Sequence, residues 1–280
     1  MSTTKSWNEL FRQSNGDVTV QTVYLGSVPL TQFYNNTLRG DYAAKGVGMY
    51  STGNGTIDLA GLVPSDAVIQ KVFLYWSVFR NTNQQSSIIL NNTPITGNLL
   101  GTVSGYIAIE DAFRADVTGI ANIEENTLVN PNNNINIFGA ALVVVYSRND
   151  LPCKTVIIND GIQLFTNETV LTSLQNFNAA GLPPQANTTY IVAGAYPGSD
   201  YPDSAIFNGI TVESPDAFSS AEGLFWDTLK KDVTGLVNTG DITATASIQT
   251  ADGPIIWIAQ VFSVTASGCQ GRGISFFSVS

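Results

Sequence analysis

Histidine is absent from the 280-residue chain, and cysteine occurs only twice. Without an imidazole there is no Ser-His or Cys-His engine and no histidine metal ligand. Cys153 and Cys269 cannot build a tetrahedral metal site between them; they could form one disulfide, stay free or link neighbouring chains. Charge is scarce too: Asp, Glu, Lys and Arg make up 12 % of the residues, about half the usual share. The net charge is −10, and the 12 basic residues are scattered singly apart from Lys230-Lys231. No cationic stripe is available for phosphates, which excludes nucleic acid and anionic membrane as partners. Apolar runs such as residues 140–146 are too short to span a bilayer. The N-terminal residues lack an uninterrupted apolar stretch and a small-residue cleavage site, so they do not read as a signal peptide. Export is then expected to rely on a leader removed from this sequence, or on another route.

Apolar residues supply 44 % of the chain, enough for a sizeable core. Asn, Thr, Ser and Gln take the place of charge, as in Asn81-Thr82-Asn83-Gln84-Gln85 and Asn132-Asn133-Asn134. Such a neutral polar surface suits self-assembly or sugar contact. Residues 6–13 read as one short helix: Ser6 and Glu9 have capping-box spacing, and Trp7, Leu10 and Phe11 share a face. From Asp17 onward the pattern changes to alternation and β-branched runs, at 17–24, 56–59, 69–79, 87–90 and 135–146. The second half continues it at 155–159, 189–196, 205–212, 242–250, 255–264 and 274–279, with Gly, Asn and Pro between. Residues 170–177 carry the only other helical spacing.

The chain also repeats itself. Asp116-Val117-Thr118-Gly119 returns as Asp232-Val233-Thr234-Gly235, with similar strands on either side in the same order. The expected fold is all-β: two tandem, related antiparallel β-sandwich modules with Greek-key or jelly-roll connections. Residues 1–16 form a helical segment, 17–150 the first module and 151–280 the second. Each repeated aspartate should accept a backbone N–H two residues on, while its glycine takes a positive φ. A calcium-ligating role for Asp116 and Asp232, or for Asp200, Asp203, Glu213 and Asp216, is the functional alternative. No spacing matches a known calcium loop, so the structural role is preferred and no cofactor is expected.

Tyr75-Trp76 lies in a strand apolar on both faces and reads as core, and Trp226 and Trp257 are taken as its counterparts in the second module. Glu110-Asp111 and Glu124-Glu125 could supply a glycosidase acid and base. Adjacent carboxylates in a strand point apart, however, and no catalytic residue or enzyme activity is expected. Cys153 opens the second module and Cys269 precedes its last strand, where a disulfide would close most of that module.

Several of these elements occur in a familiar order. Lys71-Val72-Phe73-Leu74-Tyr75-Trp76 is followed by Ile89-Leu90-Asn91, Ala115-Asp116-Val117-Thr118, Gly139-Ala140-Ala141-Leu142-Val143-Val144-Val145-Tyr146 and Asp160-Gly161. Together they resemble a β-sandwich module of repeat-rich bacterial and archaeal surface proteins, over about residues 65 to 161. Where that module has a tryptophan before its Ala-Leu-Val-Val run, this chain has Ala140. The resemblance implies an extracellular or cell- or spore-surface location and no catalytic residues. The expected function is a structural, self-associating surface, spore or appendage subunit forming homo-oligomers. Its assembly contacts would be Trp7, Leu10 and Phe11 at one end and Ile274, Phe276 and Phe277 at the other. The alternative is a lectin-like or receptor-binding module, with carbohydrate or a cell-surface receptor as its partner.

Overall fold

The structure, a computed structural model, describes residues 26–80, 86–104, 109–132, 136–195, 202–251 and 253–269. Among these the chain is all β, with several antiparallel sheets and one 3-10 turn at Thr234–Leu236. The first half supplies β1 (Val28–Gly48), β2 (Asn54–Asp58), β3 (Val68–Arg80), β4 (Ser87–Leu90), β5 (Thr93–Thr96), β6 (Asn98–Ser104), β7 (Ile109–Asp116), β8 (Glu125–Val129) and β9 (Asn136–Ser147). The second supplies β10 (Cys153–Phe165), β11 (Thr169–Gln175), β12 (Ala186–Ala193), β13 (Asp203–Phe207), β14 (Ile210–Glu213), β15 (Trp226–Asp232), β16 (Thr243–Thr250) and β17 (Ile255–Thr265).

Strand order is the same in the two halves. The first contains the run β1-β9-β3-β7 and a separate sheet β2-β8-β4-β5; the second contains β10-β17-β12-β15 and β11-β16-β13-β14. Strand β6 is an addition at the edge of the first run. The two runs are not separate sheets, because β1 belongs to both. Its residues 28–39 pair antiparallel with β10, and residues 40–48 pair with β9, giving one nine-stranded sheet. The change of partner falls at Gly40, whose N–H donates to Pro152 O at 3.2 Å while Arg148 N–H donates to Arg39 O at 2.9 Å. A Cβ on Gly40 would lie 2.0 Å from Tyr146 O, so only glycine fits there.

Three apolar clusters separate the sheets. One lies between the first run and its small sheet, with Trp76, Leu90, Phe113 and Leu128. A second lies between the second run and its small sheet, with Tyr190, Phe207, Trp257 and Phe262. The third joins residues of both runs, including Tyr42, Tyr75, Val143, Ile158, Ile191 and Trp226. The two runs therefore face each other. Along β9, Ile137, Ala140, Leu142 and Val144 enter the first cluster, while Phe138, Ala141, Val143 and Val145 enter the shared one. Burial on both faces explains why residues 137–146 show no polar alternation.

The structure corrects several local expectations. Residues 170–177 are not helical: Thr169–Gln175 is a strand paired with β16, with Thr172 and Leu174 buried and Leu171 and Ser173 outside. The spacing of Val170, Leu174 and Phe177 suits a helix, but the alternation decides. The segment 205–212 is not one strand but the hairpin of β13 and β14, turning at Asn208 (φ 46°) and Gly209 (φ 77°). Strand β1 itself was not anticipated. The N-terminal helix with Trp7, Leu10 and Phe11, the strand at 17–24 and the C-terminal segment with Ile274, Phe276 and Phe277 lie outside the described residues.

Buried residues of both halves share one cluster, which predicts that the two halves unfold together. Urea unfolding followed by near-UV and far-UV circular dichroism should give coincident transitions. Trp226→Ala should lower stability by about 3–5 kcal/mol without separating them. Two resolved steps in the parent protein would show that the halves are energetically independent.

Candidate functional site

The repeated Asp-Val-Thr-Gly forms the same network twice. Thr118 N–H donates to Asp116 Oδ1 at 3.0 Å, and Thr234 N–H to Asp232 Oδ1 at 2.9 Å. The threonine hydroxyls then accept backbone N–H groups of β3 and β12, from Val72 at 2.9 Å and Ala186 at 3.1 Å. Val117 and Val233 are buried beneath the turn. Gly119 takes a φ of 86°, but Gly235 sits in the 3-10 turn without a positive φ. An asparagine completes each copy. Asn91 Oδ1 accepts Thr127 N–H at 2.9 Å and its amide donates to Ile120 O; Asn208 Oδ1 accepts Thr245 N–H at 2.8 Å and its amide donates to Leu236 O. Both take left-handed backbone at the matching hairpin, with φ of 49° and 46°. These side chains are occupied in pinning turns. Among the described residues no group of three or more His, Cys, Asp and Glu is placed to hold a metal ion.

Other singled-out residues are dispersed. Cys153 and Cys269 are joined by a disulfide, Cα to Cα 5.6 Å. Tyr75 and Trp76 are fully buried, and Tyr75 OH donates to Asp160 at 3.0 Å. Trp226 and Trp257 are not the counterparts of Trp76. Trp76 pairs with Phe113, three residues before Asp116, and Tyr190 pairs with Leu229, three before Asp232, so Tyr190 holds that position. Glu124 and Glu125 are exposed, and Asp200 lies outside the described residues. Asp111 is taken by Arg80 at 2.5 Å and Thr102 at 2.6 Å. Its neighbour Glu110 is buried, no donor among the described residues reaches its Oε2, and burial pushes its carboxyl up to about 8.

Where the end of β1 meets the start of β15, a cluster of rings reaches the surface. Gly48 N–H donates to Glu222 O at 2.6 Å and Gly46 N–H to Glu222 Oε1 at 3.2 Å, with Lys45 Nζ 2.8 Å from the same oxygen. Met49 and Tyr50 N–H donate to Phe138 O at 2.8 and 3.2 Å. This stitching brings together Tyr50, Phe79, Phe138 and Phe225. Ring centroids are 4.8 Å apart for Tyr50–Phe225, 5.8 Å for Tyr50–Phe138, 5.6 Å for Phe138–Phe225 and 5.4 Å for Phe79–Phe138. Phe138 is buried, and the other three are half-buried. Below the rings, a Cβ on Gly139 would lie 2.5 Å from the Trp226 indole, so the sheets are in direct contact there.

Phe225 has a φ of 67°, a left-handed conformation that is costly for an aromatic residue. Two stretches of chain enforce it, residues 194–195 and the segment from Ser220 that carries Phe225 itself. Phe225 N–H donates to Ser220 Oγ at 3.1 Å, Gly194 N–H to Phe225 O at 3.0 Å, and Ser220 Oγ to Ala195 O at 3.2 Å. Ser220 and Ala221 N–H donate to the two oxygens of Asp227 at 2.7 and 2.9 Å. The result is a shelf of ring faces and edges beside the Lys45–Glu222 pair. It can hold the flat apolar face of a ligand and hydrogen-bond its rim. None of these four rings stands out in the sequence, because they come from positions up to 175 residues apart with no motif linking them.

Two predictions concern these side chains. Asp232→Ala and Asn208→Ala should each cost about 1–2 kcal/mol in urea unfolding, since each releases a pinned backbone group. Glu110→Gln should act in the opposite direction. The folded carboxyl titrates near 8 rather than 4.5, so the folded chain holds a proton that the unfolded chain releases, and stability falls as pH rises between those values. Glu110→Gln should therefore gain up to about 4 kcal/mol at pH 8, and that gain should vanish towards pH 4.

A family model described as a protein of unknown function (DUF3344) matches residues 23–265. No curated protein matches the chain. Among solved structures, BuGH86 in complex with neoagarooctaose is 10 % identical with a TM-score of 0.31, the match covering 83 % of this chain and 34 % of that one. BpGH86A, a β-porphyranase of glycoside hydrolase family 86 from the human gut bacterium Bacteroides plebeius, is 10 % identical with a TM-score of 0.27, covering 85 % and 36 %. The major capsid protein P2 of bacteriophage PM2 is 8 % identical with a TM-score of 0.27, covering 82 % and 99 %. The chain thus spans about a third of the length of the two GH86 proteins. Likenesses this distant carry no argument about activity.

Proposed function

We propose, for a chain that belongs to the DUF3344 family of proteins of unknown function, the role of a non-catalytic, surface-type binding module whose ligand rests on the aromatic shelf. The observation that carries this is Phe225. A strained aromatic held by hydrogen bonds to Ser220 and Gly194, on two stretches of chain, is the kind of feature found at ligand clamps. The ligand class that fits is a neutral saccharide: its C–H face lies against Tyr50 and Phe225, and its hydroxyls meet Lys45 and Glu222. A surface with few charges favours a neutral ligand over a charged one. The disulfide between Cys153 and Cys269 supports an oxidising, extracellular or cell-surface location. The matching strand order of the two halves supports a pair of related sandwich modules, as in the bacterial and archaeal surface proteins that the sequence resembles.

Binding to a panel of immobilised neutral polysaccharides tests the reading. The parent chain should be retained by at least one, and Tyr50→Ala should weaken retention at least tenfold. Leu171→Ala, on the outer face of β11, should leave it unchanged. A parent chain retained by none, or a Tyr50→Ala variant as well retained as the parent, would overturn the proposal.

A second reading, a self-associating structural subunit, draws support from bare apolar side chains on a weakly charged surface. Leu182 is 95 % exposed, and Leu171 and Ile242 are 63 % and 62 % exposed. Terminal contacts through Trp7, Leu10, Phe11, Ile274, Phe276 and Phe277 belong to this reading. It requires light scattering to show mass rising with concentration; a protein that stays monomeric would discard it.

A further inference from the structure

The row of rings continues beyond Tyr50 and Phe225. Phe138 links both of them to Phe79 on β3. The Lys45–Glu222 pair borders the row at the end held by β1 and the segment before β15. At the Phe79 end, two polar residues flank the ring across the sheet. Phe79 lies directly opposite Asn136 on β9 and Glu110 on β7. Directly opposed residues of antiparallel strands share a face, with Cβ atoms about 4.5–5.5 Å apart. Phe79 packs against the shared cluster, so all three side chains stand on the face that carries Phe138.

The two flanking residues differ in what they offer. Asn136 is exposed, and its amide both donates and accepts. Glu110 is 8 % exposed, and its Oε2 is buried without a hydrogen-bond partner among the described residues. Its cross-strand neighbours are Phe79 and Val103, whose side chains can neither donate nor accept. Burial pushes the carboxyl up to about 8. At neutral pH most of it is therefore the uncharged acid, with one donor and one acceptor oxygen. An amide and an uncharged acid on either side of a ring match a group that can donate and accept, which is a hydroxyl. Folding does not select the acid, since an unpartnered buried carboxyl opposes stability as pH rises.

We propose that Phe79, Glu110 and Asn136 form a second subsite of the shelf, and that the ligand is a chain of neutral sugars crossing Phe138. Its hydroxyls bond Lys45 and Glu222 at one end and Glu110 and Asn136 at the other. The proposal rests on the reading of the shelf as a saccharide site. A single sugar is about the size of one aromatic ring and cannot meet both ends. Ring centroids are 5.6 Å apart from Phe225 to Phe138 and 5.4 Å apart from Phe138 to Phe79, and a polar group stands past the ring at each end. The rings hold successive C–H faces, and the polar ends select for length.

Competitive elution from the polysaccharide that retains the parent chain tests this, using that polymer's own monosaccharide and oligosaccharides. For the parent, an oligosaccharide should compete about tenfold better than the monosaccharide. Glu110→Met and Asn136→Ala should each weaken retention about tenfold and narrow that gap. Glu110→Gln, whose amide also donates and accepts, should be retained like the parent. The urea midpoint of Glu110→Met at pH 8 should not fall below the parent's, which separates lost binding from lost folding. If that variant does not fold, Asn136→Ala carries the test from an exposed position. Retention of both variants like the parent, with Tyr50→Ala not retained, would refute the second subsite and keep the shelf. A monosaccharide that competes as well as its oligomers would do the same. A parent chain retained by no polysaccharide, or a Tyr50→Ala variant retained like the parent, would refute the shelf and the subsite with it.

Discussion

Strand β1 hydrogen-bonds along one half of its length to β10 and along the other half to β9, and most of the architecture follows from that division. A strand that serves two sheets forces them to remain in contact. With β9 and β10 consecutive in the chain, the two runs have little choice but to fold onto each other. Each run then needs two apolar faces, one for its small sheet and one for the opposite run. This is why β3, β9, β10 and β17 are buried along most of their length. The contact is tight enough to place Gly46 and Gly139 directly against Trp226. The aromatic shelf sits where this shared core reaches the surface, so its geometry depends on the strand exchange at Gly40, within β1.

The duplicated turns solve a different problem. A chain with nine strands in its first half and eight in its second needs its loops to commit to one register. The Asp, Thr and Asn side chains do this by bonding backbone groups of strands distant in sequence: Asp116 to its own turn, Thr118 to β3, and Asn91 to both β8 and the loop after β7. The same three interactions recur from Asp232, Thr234 and Asn208. Polar residues that recur in a motif are easily taken for a ligand set. Here their hydrogen-bonding capacity is spent on the fold.

Much of the β character was legible because alternation and β-branched runs report burial directly, and the repeated turns were legible because their chemistry is local. Strand β1 was not. Its first half, with Thr31, Gln32, Asn35, Asn36 and Thr37, lies at the edge of the second run and is mostly exposed, so it carries no apolar pattern. Its membership in the sheet comes from backbone pairing with β10, which leaves no mark in side-chain hydropathy. Residues 170–177 misled for a related reason: a short segment with apolar residues four apart satisfies both periods, and only the burial of Thr172 separates them. The shelf was illegible because Tyr50, Phe79, Phe138 and Phe225 become neighbours only through the exchange made by β1.

The two halves also show where function is to be sought. They agree strand for strand except between the last strand of the small sheet and the next strand of the large one. In the first half, Gly97 alone separates β5 from β6, and β6 pairs with β7 as an ordinary edge strand. In the second half, the same interval is residues 214–225, with no strand in it. Packing accounts for part of this segment, since Ala217 and Phe218 are buried in the second core. It does not account for the two buried aspartates that hold it from the flanking strands, Asp203 and Asp227, neither in an ion pair among the described residues, for a serine and a phenylalanine in left-handed backbone, or for a ring delivered to the surface beside the other half. A strand such as β6 would have closed that edge with none of these costs. Local features that oppose folding propensity persist when something other than folding selects them, and in this chain they are concentrated in, and in the strands that hold, the one interval that departs from the repeat.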